Sequence, residues 1–140
     1  MFLLDTNVIS EARKSAGRAD HHVVRWLDSH DRALMFVSVI SLLELEIGVL
    51  RVERRDPPQG ALLRTWLDER VRPAFAGRIL PVTDRICVRC ARLDVPDPRP
   101  ERDALIAATA LEHKLTIVTR NVSDFSDVAL KVLNPWELAG

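Results

Sequence analysis

Phe2-Leu3-Leu4-Asp5-Thr6-Asn7 is the stretch that decides how this chain is read. Three apolar residues run into an acid, and small polar residues follow it. The pattern predicts a short buried strand that delivers Asp5 at its C-terminal end, with Asp5-Thr6-Asn7 capping the helix behind it. Working outward, Ser15 to Asp20 reads as a loop, and Val23, Val24, Trp26 and Leu27 mark a helix that stops near His30. Ala33 to Val37 reads as a second strand. Ser41 to Val52 is strongly helical: Ser41 and Glu44 have capping-box spacing, and Leu42, Leu45, Val49 and Val52 form an apolar stripe.

Arg51 to Gly60 carries charge, two prolines and a glycine, which predicts a turn between helices. Ala61 to Phe75 reads as an amphipathic helix, Arg78 to Val82 as a brief strand, and Thr83 to Leu93 as a helix. Asp94 to Pro100 holds three prolines and cannot be regular. Glu101 to His113 reads as a helix, Leu115 to Thr119 as a β-branched strand, Asn121 to Asp127 as a turn-rich loop, and Val128 to Leu133 as a last strand. Strands alternating with helices along 140 residues predict one domain, an α/β sandwich with a mainly parallel central sheet.

The bulk numbers narrow the function. With 20 basic and 20 acidic residues the net charge is zero, so a nucleic-acid surface has to be local. The basic residues are nearly all Arg, whose planar fork suits phosphate. Cys87 and Cys90 form a lone Cys-x-x-Cys without a second pair, and they read as small buried hydrophobes of a helix. Free thiols suit a reducing compartment. With no signal-like N-terminus and no apolar run long enough for a bilayer, the expected location is the cytoplasm, away from membranes.

The acids carry the chemistry. In a parallel α/β sheet, ligands bind beyond the C-terminal ends of the strands. Asp5 follows the first strand at that edge, and Asn121 and Asp124 follow the Leu115 to Thr119 strand. Glu44 lies one turn into the helix after the Ala33 to Val37 strand, and Asp103 lies in the first turn of the helix before Leu115. Each acid also has a purely structural use: Asp5 as a helix cap, Glu44 in the capping box, Asp103 at a helix dipole, Asp124 in a turn. Taken together they point to a shared site, because clustered carboxylates repel unless a cation sits among them. Oxygen donors select a hard divalent ion, Mg²⁺ or Mn²⁺. Such an ion polarises a phosphodiester, activates water and steadies the leaving oxygen.

Leu3-Leu4-Asp5-Thr6-Asn7-Val8-Ile9-Ser10, Ser38 through Leu45, Asp103-Ala104-Leu105-Ile106-Ala107-Ala108-Thr109-Ala110 and Thr119-Arg120-Asn121-Val122-Ser123-Asp124-Phe125 together resemble the PIN-domain toxins of the VapC type. Asn134-Pro135-Trp136 resembles the FitB branch of that family. The resemblance spans essentially the whole chain. It implies a PIN-like three-layer α/β/α sandwich and a Mg²⁺- or Mn²⁺-dependent endoribonuclease. It also implies the toxin half of a toxin–antitoxin pair, usually a homodimer, held inactive by a small antitoxin of the VapB type.

By position, Asp5, Glu44 and Asp103 match the metal-binding acids, and Thr6, Asn7 and Ser38 match small polar residues near them. Many members carry an acid directly after Thr-Arg, where this chain has Asn121; Asp124 or Asn121 then completes the site. Arg13, Lys14 and Arg120 are the candidate RNA contacts. Two other readings compete. Haloacid-dehalogenase-like phosphatases use Asp-x-Asp after the first strand, and residue 7 is Asn. A catalytically weak PIN-like module that acts by partner or RNA binding alone is kept open by Asn121.

Overall fold

The computed structural model describes residues 1–15 and 17–137. Five strands, β1 (Phe2–Leu4), β2 (Met35–Ser38), β3 (Ile79–Leu80), β4 (Thr116–Val118) and β5 (Val132–Leu133), form one sheet in the order β3-β2-β1-β4-β5. Every pairing is parallel, with Phe2 opposite both Met35 and Thr116, and Leu4 opposite Val118. Helices α1 (Thr6–Arg13), α2 (His21–Ser29), α3 (Val39–Arg55), α4 (Pro57–Trp66), α5 (Arg72–Ala74), α6 (Asp84–Asp94) and α7 (Glu101–His113) surround it. Among the described residues no helix is long and apolar enough to cross a membrane.

Strand alternation sends neighbouring residues to opposite faces, which produces the three layers. Leu4, Met35, Val37 and Val118 face a core completed by Val8, Trp26, Leu45, Val49 and Leu67 from α1 to α4 and the stretch beyond. Leu3, Phe36 and Ile117 face the other way, onto Ile106, Ala107 and Ala110 of α7 and Leu93 of α6. The predicted sandwich and its parallel sheet are therefore the observed architecture.

The chain runs from β1 outward through β2 to β3, then crosses to β4 and β5 on the other side. The direction of winding reverses between β1 and β4. A crevice opens at the C-terminal edge of such a switch point, and Asp5 and Thr119 stand there.

Several local expectations need correction. Helix α3 starts at Val39, not Ser41, and Ser38 is its cap, its Oγ accepting from the Ile40 N–H at 3.0 Å. Ser41 is buried inside the helix with its hydroxyl unpartnered, so the capping box does not form. The Arg51 to Gly60 turn shrinks to Asp56: α3 continues to Arg55, and Pro57 and Pro58 open α4. Proline suits the first turn of a helix, where its missing N–H has no partner to lose. Gly60 lies inside α4, where a Cβ would stand 2.3 Å from Glu53 Cα; the glycine is a close-approach residue between α3 and α4.

From Pro57 to Ala74 the helix is continuous but passes through a π-helical stretch at Leu67–Val71. The last strand is confined to Val132–Leu133. His21 and His22 open α2 behind the Asp20 cap. Cys87 is exposed and Cys90 half-buried, so the cysteine face of α6 is not a core stripe; Ile86 takes that place. The Ser15 to Asp20 connection is irregular where described, Ala16 lying outside the described residues, as do residues 138–140 of the expected domain.

Candidate metal and phosphodiester site

Asp5 leaves β1 and enters the switch-point crevice with 8% of its surface exposed. Its Oδ1 accepts from the Thr6 N–H at 2.8 Å and so caps α1. Its Oδ2 accepts from the Thr119 hydroxyl at 2.8 Å. One oxygen of the Asp5 carboxylate thus caps α1, as expected, and the other is held by the end of β4. Thr119 Oγ1 in turn accepts from Asn7 Nδ2 at 3.3 Å and from the Asn121 N–H at 3.0 Å. One buried hydroxyl therefore ties the end of β4 to Asp5, to α1 and to the loop carrying Asn121.

Glu44 reaches the same crevice from α3. Its Oε1 accepts from the Thr6 hydroxyl at 2.8 Å, and Arg102 Nη1 stands 3.9 Å from Oε2. Asp103, in the first turn of α7, is half-buried and lines the same crevice. Asp124 sits in the 3₁₀ turn Val122–Phe125, anchored by the fully buried Phe125. The open cleft between them measures about 450 Å³ and is walled by Asp5, Thr6, Asn7, Glu44, Asp103 and Asn121, with Arg13, Lys14 and Arg120 around them.

The electrostatics follow from this crowding. Burial pushes the Asp5 carboxyl above its ordinary range, aided by the negative Glu44 and Asp124 and opposed by the Thr119 and Thr6 hydrogen bonds. Burial also raises Asp103, and the charges of Asp124, Asp5 and Glu44 push it in the same direction. The cleft sets Asp5, Glu11, Glu44 and Asp103 beside Arg13, Lys14 and Arg120; Lys14 is paired with Glu11, Arg102 approaches Glu44, and among the described residues Asp5 and Asp103 have no cationic partner.

Among the described residues no imidazole or thiol lines the cleft; its donors are carboxylate, amide and hydroxyl oxygens, together with flanking cations. That set fits a hard divalent cation. The only group of three His, Cys, Asp or Glu whose ligand atoms lie within 4.8 Å of one another, among the described residues, is Asp20, His21 and His22 on the α2 start. Among the described residues no three of the cleft acids meet that spacing.

Of the residues expected at the site, Asp5, Thr6, Asn7, Glu44, Asp103 and Asn121 line one cleft. Asp124 is near enough to act on both Asp5 and Asp103 electrostatically. Ser38 is fully buried beneath α3 and does not reach the cleft wall. Three contributors escaped the sequence reading. Thr119 read as a β-branched strand end and as the first residue of the Thr119–Phe125 block, with no role of its own. Trp136 read only as part of a closing motif. Glu11, buried on α1 and lining the cleft, holds Lys14 Nζ at 2.9 Å and the Asp20 N–H at 2.9 Å, a role its sequence context does not signal.

A parallel sandwich whose switch point gathers acids from β1, α3, α7 and the loop after β4 defines the class. The chain belongs to the PIN-domain family, whose model matches residues 2–131. It is 35% identical over 141 residues to toxin FitB of Neisseria gonorrhoeae, covering 97% of this chain and 99% of that protein. It is 33% identical over 147 residues to VapC ribonuclease Y4jK of Sinorhizobium fredii, covering 99% and 100% respectively. Its fold superimposes on the crystal structure of FitAcB from Neisseria gonorrhoeae with a TM-score of 0.90, at 35% identity, over 99% of this chain and 100% of that one.

Proposed function

We propose that residues 1–140 act as a single PIN domain, a Mg²⁺- or Mn²⁺-dependent endoribonuclease that is the toxin of a toxin–antitoxin pair. The observation that carries this reading is the convergence of Asp5, Glu44 and Asp103 on one cleft, with Asp124 beside it, in a chain related to proteins named toxin FitB and VapC ribonuclease.

Asp5 and Asp103 are the principal cation ligands in this account, one from the end of β1 and one from the first turn of α7. Glu44, steadied by Thr6, contributes directly or through water. Asn121 or Asp124 completes the set. When bound, the divalent cation supplies Lewis-acid activation of the phosphodiester and of water. The chain itself positions the RNA: Arg13, Lys14 and Arg120 flank the acids and draw the phosphates toward them. Thr119 fixes the Asp5 carboxylate so that the ligand geometry exists before substrate arrives.

The partner surface follows from the helices that project from the sheet. Leu45 and Val49 of α3 are spent on the core, whereas Leu43 and Leu50 of α3 and Leu62 of α4 stay exposed at 45%, 56% and 65%. These leucines suit an antitoxin laid along α3 and α4, and the resemblance supports a second copy of the chain as the other partner.

A binding-only module remains the second reading, favoured by Asn121 standing at the cleft wall where an acid would add charge. The separating experiment is Asp103→Ala compared with wild type. The nuclease reading expects a folded variant with cleavage of cellular RNA lowered by about 10²–10³-fold in Mg²⁺ or Mn²⁺. Cation binding by wild type with no RNA cleavage favours the binding module, and a fully active variant removes Asp103 from the assignment.

A further inference from the structure

Arg120 and Trp136 meet at the edge of the acid cleft, and both line it. The Arg120 guanidinium carbon lies over the indole, 5.2 Å from the ring centroid, within the range of a cation–π contact. The pair is built rather than incidental. The Arg120 N–H donates to Asn7 Oδ1 at 3.2 Å, and its carbonyl accepts from Asn134 Nδ2 at 3.5 Å. Asn134 Oδ1 accepts from the Trp136 N–H at 2.9 Å, so one side-chain amide sets both members. The 3₁₀ turn Pro135–Glu137 packs against α2, and Trp136 rests half-buried on that core.

This arrangement has an electrostatic oddity. Arg120 borders a cleft rich in carboxylates, yet among the described residues its guanidinium makes no ion pair, whereas Arg102 approaches Glu44. The indole holds the guanidinium at the rim. A phosphate contact alone would not need the indole, and Arg13 already offers a guanidinium at the same cleft. A guanidinium backed on one side by an aromatic ring presents its free face as a stacking surface. Unpaired RNA bases stack on such planes, whereas the bases of a duplex are already stacked on one another.

We infer that Arg120, held by Trp136, is a platform for an unpaired RNA base next to the phosphate to be cut, which makes Arg120 a specificity residue and Trp136 its positioning residue. The inference rests on the ribonuclease reading and names the two residues that engage an unpaired base at this cleft.

The test is binding of a short, unstructured, fluorescent oligoribonucleotide in EDTA, where cleavage is silent, with inorganic polyphosphate as a competitor that offers charge but no bases. Wild type is compared with Arg120→Lys, which keeps the charge and loses the plane, and with Trp136→Leu, which keeps apolar packing and loses the ring. The platform predicts that both variants bind the oligoribonucleotide about tenfold more weakly, with polyphosphate binding unchanged. Equal losses for both ligands, or wild-type binding by Arg120→Lys, overturns it. Should Trp136→Leu fail to fold, the exposed Arg120→Lys still decides. A wild type that does not bind the oligoribonucleotide overturns the platform while leaving the ribonuclease reading to the Asp103→Ala cleavage assay.

Discussion

The Thr119 hydroxyl donates to Asp5 Oδ2 at 2.8 Å, joining the ends of β4 and β1 across the point where the winding of the sheet reverses. This bond is completely shielded from solvent at Thr119 and opposes the upward push that burial exerts on the Asp5 carboxyl. Thr119→Val removes the donor to Asp5 and the acceptor for Asn7 and Asn121 while keeping the volume. It is expected to destabilise the protein by about 1–3 kcal/mol in urea unfolding and to weaken Mn²⁺ binding by titration calorimetry. Thr119→Ser, which restores the hydroxyl, should recover most of both.

The cleft acids make a signed prediction about pH. Asp5 and Asp103 hold their protons more tightly when folded, their carboxyls being raised above the ordinary value of 3.8. Their contribution to stability is therefore fully present below 3.8 and is lost as pH rises through the raised folded values. In the ionised form each carboxylate is disfavoured first by its burial and then by the negative charge of its neighbours, and both effects work against the fold. Asp103→Asn should raise the melting temperature in EDTA, with the advantage over wild type growing as pH is taken upward through the acid range. A difference that shrinks over the same range would contradict the assignment of strain to Asp103.

Divalent cations should reverse that ranking. A ligand that binds only the folded chain stabilises it by about 2.7 kcal/mol at a hundredfold excess over its dissociation constant. Mg²⁺ or Mn²⁺ should raise the wild-type melting temperature and move Asp103→Asn much less. Melting curves with and without EDTA check this, and an equal shift in both proteins would place the cation elsewhere, with Asp20, His21 and His22 the next group to mutate.

Gly60 predicts a stability effect separate from chemistry. A Cβ there would lie 2.3 Å from Glu53 Cα and 2.6 Å from Glu53 N, backbone atoms that cannot swing aside. Gly60→Ala should cost about 1–3 kcal/mol, by prising α4 from α3. Urea unfolding measures the cost. Because the acid cleft lies on the other end of α3, the cation affinity of the folded variant should stay at the wild-type level.

The sheet and the acids were readable because their signals are local. Phe2-Leu3-Leu4-Asp5 and Leu115 to Thr119 are apolar runs that end in polar residues, and parallel topology alone sends those ends to one edge. The misplaced start of α3 has a non-local cause. Ser38 and Ser41 both precede apolar residues, and the choice between them is set by where β2 stops, which depends on Ser38 pairing with Leu80 across the sheet. Pro57 and Pro58 read as breakers because a proline signal does not say whether it ends one helix or begins the next; Asp56, capping Gln59, decides it. Gly60 read as a turn residue because the neighbour that requires it is seven positions back on another helix. Thr119 and Trp136 were opaque for a similar reason. Their partners, Asp5 and Arg120, are brought to them only by the fold.

The most direct test of the central claim is cleavage of bulk cellular RNA by antitoxin-free protein, wild type beside Asp5→Asn, in Mg²⁺, Mn²⁺ or EDTA. Wild type should cut in either metal and not in EDTA, and Asp5→Asn, shown to be folded, should lose about 10²–10³-fold. Cutting that persists in EDTA, or a folded Asp5→Asn as active as wild type, would contradict it.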